Sequence, residues 1–276
     1  MAGDWSSEVV EPHSEPALFD TKVAHCARVY NYWLGGKDNF AADRVAAEQA
    51  IRDSPTIIQN VRANRAFLGR AVRFLAADAG VRQFLDIGTG IPSGENVHGV
   101  AQGAAPAARV VYVDNDPIVM SHARALLTSR PEGATAYVDA DLRDPEKVLD
   151  GAAATLDLAR PVAVLLLAVL HHVEDDEDPR EIVASLMNAV PSGSYLVLTH
   201  PASDVDPEPM ARMAAGLAAM LNEPVTLRSR AEVGELAAGL DPVPPGLVPI
   251  TKWRPDPGDP QFDHVVPLHA VVARTP

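Results

Sequence analysis

Apolar residues recur along this chain with two periods. Val81, Phe84, Leu85 and Ile87 form a short apolar run directly ahead of glycines 88, 90 and 94, which reads as a buried strand entering a tight turn. Residues 109–114, 135–138, 162–170 and 195–199 repeat that pattern. The run at 162–170 is continuously apolar, as expected of a strand covered by helices on both faces, and at about ten residues it is too short to span a bilayer. Between these runs the period changes to that of a helix. Val119, Ala123, Leu126 and Leu127 fall at i, i+4, i+7 and i+8 behind an Asp116 cap and Pro117 at the first helical position. Ser93, with Asn96 three residues on, approximates a capping box that would open the helix after the glycines. Alternating strands and helices predict a doubly wound α/β fold. Two final strand candidates, 248–253 and 265–273, are joined by a Pro/Gly/Asp turn at 255–260. They should pair antiparallel and give the sheet a reversed edge strand.

The first 80 residues read differently. Residues 1–16 look like a loose arm. Val23, Ala27, Tyr30 and Leu34 make one face of a helix stopped by Gly35 and Gly36. A second helix should begin after Asp38, and a third, after Pro55, carries Ile58, Val61, Leu68, Val72 and Leu75 inward. Two segments follow from these patterns: an N-terminal arm and helical cap over residues 1–80, and an α/β domain over 81–276. In the second segment a helix over 209–221 carries Met210, Met213, Leu217, Met220 and Leu221 at helical spacing, a stripe suited to packing. Residues 230–240 make another helix.

Chemistry concentrates where strands should end. A dinucleotide fingerprint needs G-x-G-x-x-G so that bare backbone can approach a pyrophosphate. Here the third glycine is one place late, Pro92 removes a backbone donor, and Asp86 would set negative charge beside a phosphate. A cationic nucleoside such as S-adenosylmethionine suits Asp86 better. Asp114, 24 residues after Gly90, occupies the strand-end position that grips ribose hydroxyls, whereas Asp116 is explained by its cap. Asp141 can accept a hydrogen bond from an adenine amine while Leu142 covers the ring, although Asp139, Asp141 and Asp144 also suit a solvated acidic loop. His171 and His172 close the apolar run and are candidates for a general base. As neighbours on a strand they would point to opposite faces, so they should not share a metal, and no C-x-x-C or H-E-x-x-H spacing occurs. No metal site is expected.

Taken together, the D-I-G-T-G turn at 86–90, the acids 114 and 141, the L-L-L-A-V-L-H-H segment at 165–172 and the closing antiparallel pair resemble class I S-adenosylmethionine-dependent methyltransferases. The phrase A-R-V-Y-N-Y-W-L-G-G-K-D-N-F-A-A-D-R at 27–44, with V-Y-V-D-N-D-P at 111–117, is similar to a bacterial family of candidate methyltransferases known as a domain of unknown function. The resemblance implies a Rossmann-like, seven-stranded, mostly parallel sheet. It also implies S-adenosylmethionine as cofactor and S-adenosylhomocysteine as product. Cofactor contacts would come from Asp86, Gly88, Thr89, Gly90, Asp114, Asn115, Asp141, Leu142 and the backbone near Ala168. Pro92 departs from the pattern, since many class members carry a third glycine there.

Acceptor choice should then fall to the cap. Tyr30, Asn31, Trp33, Lys37 and Asn39 cluster at the diglycine stop and suit a lid that frames the acceptor, with Arg65 beside it; the same residues also suit helix capping around an aromatic core. Arg62, Arg65, Arg70 and Arg73 could receive an acidic acceptor or form a solvated helix face. Tyr32 joins His171 and His172 as a candidate base.

The formal charge of −14 argues against tracking nucleic-acid backbones, so a small-molecule acceptor is expected, with no nucleic-acid and no membrane partner. One cysteine, Cys26, allows no intrachain disulfide, and no leader-like or bilayer-length apolar run appears. The expected compartment is the cytoplasm. Rival readings are an S-adenosylmethionine-binding regulator without catalysis and an NAD-dependent oxidoreductase, the latter disfavoured by the glycine spacing and Asp86.

Overall fold

Alternation within the first strand decides how the layers form. In this computed structural model, which describes residues 20–92, 94 and 96–276, β1 (Gln83–Ile87) sends Phe84 into one apolar layer and Leu85 and Ile87 into the other. β2 (Arg109–Asp114) divides Val110 and Tyr112 from Val111 and Val113 in the same way. The helix α3 (Ile57–Ala77) covers the Phe84 face with Phe67, Ala71, Val72 and Leu75, joined by α4 (Val97–Ala104). On the Leu85 face lie α6 (Pro145–Ala153), α7 (Pro179–Asn188) and α9 (Arg230–Leu236). Both faces are dry, which is why the central strands are apolar without interruption.

The sheet runs in the order β3 (Ala134–Asp139), β2, β1, β4 (Ala163–Leu167), β5 (Tyr195–Pro201), β8 (Leu268–Arg274) and β6 (Asp241–Pro242). The first five are parallel, and β8 runs antiparallel to β5 from Tyr195↔Arg274 to Pro201↔Leu268. This is the expected doubly wound, Rossmann-like sheet. It holds eight strands rather than seven, and the reversed strand lies one place in from the edge. Two two-residue strands, β6 and β7 (Val248–Pro249), pair with its outer side.

Several boundaries differ from the sequence-based expectation, each for a local reason. The strand expected over 248–253 stops at Pro249 and becomes a 3-10 turn, Ile250–Lys252. In a strand Ile250 and Trp253 would face opposite ways; the turn aims both into the layer under α3. Trp253 meets Phe67 and Phe74 edge-on, with ring centroids 5.3 and 5.9 Å apart. β4 ends at Leu167 instead of reaching residue 170, because Ala168 is left-handed (φ 51°) and the chain turns into a 3-10 segment, Leu170–His172. The helix after the glycine turn starts at Val97 with Asn96 as cap; Ser93, expected to cap it, lies outside the described residues, as does the arm 1–16. The packing face expected on the helix after Asp116 is seen at Val119 and Ala123, both buried, while the side chain of Leu126 lies outside the description.

A third apolar cluster joins distant parts of the chain. α1 (Cys26–Trp33) and α2 (Ala41–Asp53) pack with α8 (Pro207–Leu221), burying Val29, Trp33, Ala47, Met210, Met213 and Leu217 together. α1 stops where the diglycine predicts. Gly36 N–H donates to Asn31 O and Gly35 N–H to Tyr32 O, both at 2.9 Å, the paired bonds of a Schellman stop. Gly35 supplies the left-handed residue (φ 80°), and a Cβ on Gly36 would fall 2.3 Å from Asn31 Nδ2.

Two arginines of α3 answer the question left open by their spacing. Arg70 is buried, donating to the carbonyls of Trp253 (3.0 Å) and Ile250 (2.9 Å) and pairing with Asp259 at 2.5 Å. Arg73 makes a pair of similar length with Asp256, but both side chains are half exposed. Replacing Arg70 by Met would leave two carbonyls and a carboxylate without their donor, so Arg70→Met should lower unfolding free energy by about 3 kcal/mol. Arg73→Met, losing only a screened surface pair, should cost under about 1 kcal/mol. Urea denaturation of the two variants checks the difference.

Candidate functional site

The turn leaving β1 passes so close to the chain leaving β4 that only glycine fits. Gly88 is left-handed (φ 71°), and a Cβ there would lie 2.3 Å from Val169 Cγ2. Its N–H prolongs the β1–β2 ladder by donating to Val113 O at 2.9 Å. Gly90, also left-handed (φ 66°), donates its N–H to Asp114 Oδ2 at 2.9 Å. The other Asp114 oxygen accepts from Asp116 N–H at 3.0 Å. Backbone amides therefore fix the Asp114 carboxylate while each oxygen keeps a lone pair for a ligand.

Asp86, Asp114 and Asp141 line one cavity of about 350 Å³ at the C-terminal ends of the parallel strands. Small-ligand sites have volumes of about 300–1,000 Å³. The three acids are in different states. Burial pushes the Asp86 carboxyl up to about 6, helped by the nearby Asp114 charge and opposed by a hydrogen bond from Thr89 Oγ1 (3.0 Å) and the charge of Arg65. Burial raises Asp114 as well, against the two amide hydrogen bonds. Burial works in the same direction on Asp141, but the Arg143 N–H at 2.8 Å, the Asn115 amide at 2.9 Å and the Arg143 charge outweigh it and hold the carboxyl below its ordinary value. Leu142, Thr89, Asn115 and Ala168 line the same cavity.

His171 and His172 also open onto it. The sequence put them on a strand, facing apart; the 3-10 turn that replaces the strand end brings their rings together, centroids 4.1 Å apart and tilted by 40°. Their environments differ. His172 Nδ1 donates to Pro224 O at 3.1 Å, and its carbonyl accepts from Arg143. His171 Nδ1 is buried without a hydrogen-bond partner, and burial, together with His172, His200 and Arg228, drives its basicity well below that of an ordinary imidazole. His171 is neutral at physiological pH.

The cavity continues under the cap. Its walls there are Val29, Trp33, Ile57, Met210, Met213 and Leu217. Tyr30 and Arg65 line it too, but Asn31, Lys37, Asn39 and Tyr32 do not. Asn31 Oδ1 accepts from Asp38 N–H (3.2 Å) and Asn39 Nδ2 (3.0 Å), so Asn31 and Asn39 tie down the loop after α1. Tyr32, two residues past Tyr30 and hence on another face of the helix, places its hydroxyl against Glu48. A buried chain of hydrogen bonds links cap to sheet: Ala168 N–H to Thr199 Oγ1 (2.9 Å), Thr199 Oγ1 to Asn64 Oδ1 (2.8 Å), Asn64 Nδ2 to Tyr30 OH (3.1 Å), and Tyr30 OH to Val61 O (3.3 Å).

Five features escaped the sequence reading. The α8 stripe, read as packing, also forms a cavity wall. Asn64 had a signal, since with Asn60 it interrupts the apolar face of α3 at i and i+4. His25, Cys26 and Glu223 had none, because distant segments bring them to the cavity beside Asp114 and His172. Burial opposes charging of His25, but a contact with Cys26 and the negative charges of Asp116 and Glu223 push it up to about 9. Among the described residues, Cys26, His172 and Glu223 offer donor atoms within 4.8 Å of one another; burial keeps the Cys26 thiol protonated, the form that does not bind metals.

The sequence matches, over residues 12–276, the family described as S-adenosyl methyltransferase. No curated protein matches the chain. A DUF574 family protein from Streptomyces avermitilis is 46% identical over 93% of this chain and 99% of its own, with a TM-score of 0.89. A protein from Thermobifida fusca described as a candidate methyltransferase is 37% identical over 95% and 99%, with a TM-score of 0.86. Among the described residues, no helix is long and apolar enough to cross a membrane. With strand-end acids, glycine turn and family agreeing, the chain belongs to the S-adenosyl methyltransferase family and is a class I enzyme dependent on S-adenosylmethionine.

Proposed function

We propose that this enzyme methylates a small, largely apolar molecule bound beneath the cap, in the cytoplasm. One observation carries the reading: a single cavity is lined at one end by the three strand-end acids and at the other by the apolar faces of α1, α3 and α8. The donor set suits the cofactor. Asp86 and Asp114 are buried carboxylates whose charging is opposed by their surroundings, so a ligand bearing cationic groups relieves them. Asp114 would hold the ribose hydroxyls, Asp141 and Leu142 the adenine, and Asp86 with the backbone of Gly88, Thr89, Gly90 and Ala168 the methionine end. Asn115 orients Asp141. When bound, the cofactor supplies a methyl group on a cationic sulfur, already activated for displacement.

What remains for the protein is alignment and dryness. The Ala168–Thr199–Asn64–Tyr30 chain fixes α1 and α3 relative to the cofactor turn. The polar atoms of Tyr30, Asn64 and Trp33 are already satisfied within the protein, Trp33 Nε1 by Ala47 O at 3.2 Å. The cap end therefore presents mostly apolar surface to its ligand. None of the three candidate bases is well placed: burial makes His171 a weak proton acceptor, His172 is engaged with Pro224 and Tyr32 lies outside the cavity, so an acceptor that is already nucleophilic suits the site.

Transfer of labelled methyl groups into a pool of apolar hydroxylated and aminated metabolites tests the reading directly. Absence of labelled product across the pool would favour a binding protein, and calorimetric binding of NAD without S-adenosylhomocysteine would overturn the cofactor assignment. Asp114→Ala should weaken S-adenosylhomocysteine binding by about 1.5–3 kcal/mol. His171→Gln should lower kcat by less than about tenfold, short of the loss expected on removing a well-poised base, while leaving that binding within twofold.

Asp86 predicts a pH effect of definite sign. Its folded value of about 6 lies above the ordinary carboxyl value near 3.8. Its share of stability is thus fully present below about 4 and is lost as pH rises through 6. Asp86→Asn should therefore stabilise the ligand-free protein at pH 8, by on the order of 2–3 kcal/mol, in thermal melts. Cofactor binding needs the ionised form, so affinity should fall about tenfold per pH unit below 6 in the parent protein and lose that slope in the variant.

A further inference from the structure

Asp116 has more to do than cap a helix. As the N-cap of α5 (Pro117–Leu126) it needs one oxygen, and Oδ1 accepts from Ile118 N–H at 2.8 Å. Oδ2 points elsewhere. It lies 3.0 Å from His25 Nδ1 and 3.9 Å from Arg28 Nε. Arg28 Nε is in turn 3.5 Å from Asp43 Oδ1, and that oxygen also accepts from His25 N–H at 2.9 Å. Arg28, Asp43 and Asp116 are all buried. His25, Arg28 and Asp43 belong to the cap, while Asp116 belongs to the sheet domain, so this ion cluster spans the joint between them.

The joint is built to part. On one side α1 is fixed to α2 and α8 through Val29 and Trp33. Tyr30, further along α1, is tied to α3 and β5 by the hydrogen bonds through Asn64 and Thr199. The part of the joint that can lift is therefore the first turn of α1, which on its other side meets the sheet domain through a small apolar patch of Ala27 with Ile91, Val119 and Met120, beside the ion cluster. Arg28 Nε and Nη1 and Asp116 Oδ2 are buried without hydrogen-bonding geometry. Partly satisfied buried charges gain hydration when their cover lifts, which offsets much of the attraction lost. Such a contact holds a lid without locking it.

The same residue touches the ligand side. Asp116 N–H donates to Asp114 Oδ1, the carboxylate assigned to ribose, and His25 and Cys26 line the cavity alongside Asp114 and Asn115. We propose that Asp116 is a positioning residue that latches the first turn of α1 over the nucleoside half of the cofactor through His25 and Arg28, and thereby sets how fast cofactor and product leave. The inference rests on the assignment of Asp114 to ribose.

Asn caps helices as well as Asp does, so Asp116→Asn removes the latch charge and keeps the helix start. His25→Gln removes the partner and leaves α5 untouched. Dissociation of labelled S-adenosylhomocysteine, chased with unlabelled ligand, should quicken about tenfold in each single variant and no further in the double variant. Trypsin should cut after Arg28, which is buried in the first turn of α1, in the ligand-bound single variants and leave it protected in the ligand-bound parent. A release rate within twofold of the parent in Asp116→Asn, or effects that multiply in the double variant, would overturn the latch and leave the cofactor reading standing. Failure of the parent protein to bind S-adenosylhomocysteine would remove both.

Discussion

At the top of the sheet the chains leaving β1 and β4 meet where Gly88 lies against Val169. Both depart from the ladder in left-handed residues, Gly88 and Ala168, and the close approach leaves no space for a side chain between them. The site's geometry follows from that contact. It ends β1 one residue after Asp86, so the carboxylate sits at the C-terminal end of the strand. It also ends β4 three residues earlier than an apolar run would continue, so the chain curls and delivers two histidines to one cavity. A backbone constraint of this kind positions side chains more firmly than side-chain packing does, because it leaves the turn a single conformation.

The electrostatics of the site run against the stability of the empty fold. Asp86 and Asp114 are desolvated without full compensation, and their ionised forms are disfavoured until a cation arrives. Asp141, half-buried and paired with Arg143 and Asn115, shows how the same residue type behaves when its needs are met. The protein thus keeps its two least comfortable carboxylates side by side in one cavity, at the ends of β1 and β2.

Much of this was legible from sequence, and the limits are instructive. The glycine turn, the acid ending β2 and the Asp116 cap are local features, written in consecutive residues, and they appear where the spacing put them. The Schellman stop after α1 was equally visible in Gly35 and Gly36. His171 and His172 were misjudged because apolarity carries no mark of where a strand stops; only the Ala168 conformation, imposed by Gly88 and Thr199, ends it. Arg70 was ambiguous because its partners lie about 180 residues away. The α8 stripe was recognised as apolar, but periodicity cannot say whether an apolar face meets protein or ligand. His25 is the extreme case: a lone histidine before a helix has no pattern, and its meaning comes wholly from Asp116, Asp43 and Cys26.

The hydrogen-bonded chain from Ala168 to Tyr30 has a consequence for how such an enzyme diversifies. It ties α1 and α3 to the backbone that leaves β4, whereas α8, another wall, contributes only apolar side chains, two of them methionines. Substitutions along α8 can reshape the room offered to an acceptor without disturbing the distance between donor and acceptor. Relatives sharing the turn and the Asn64–Tyr30 tether could then carry the same reaction to molecules of different outline, with selection acting on one helix face while the rest of the pocket stays fixed.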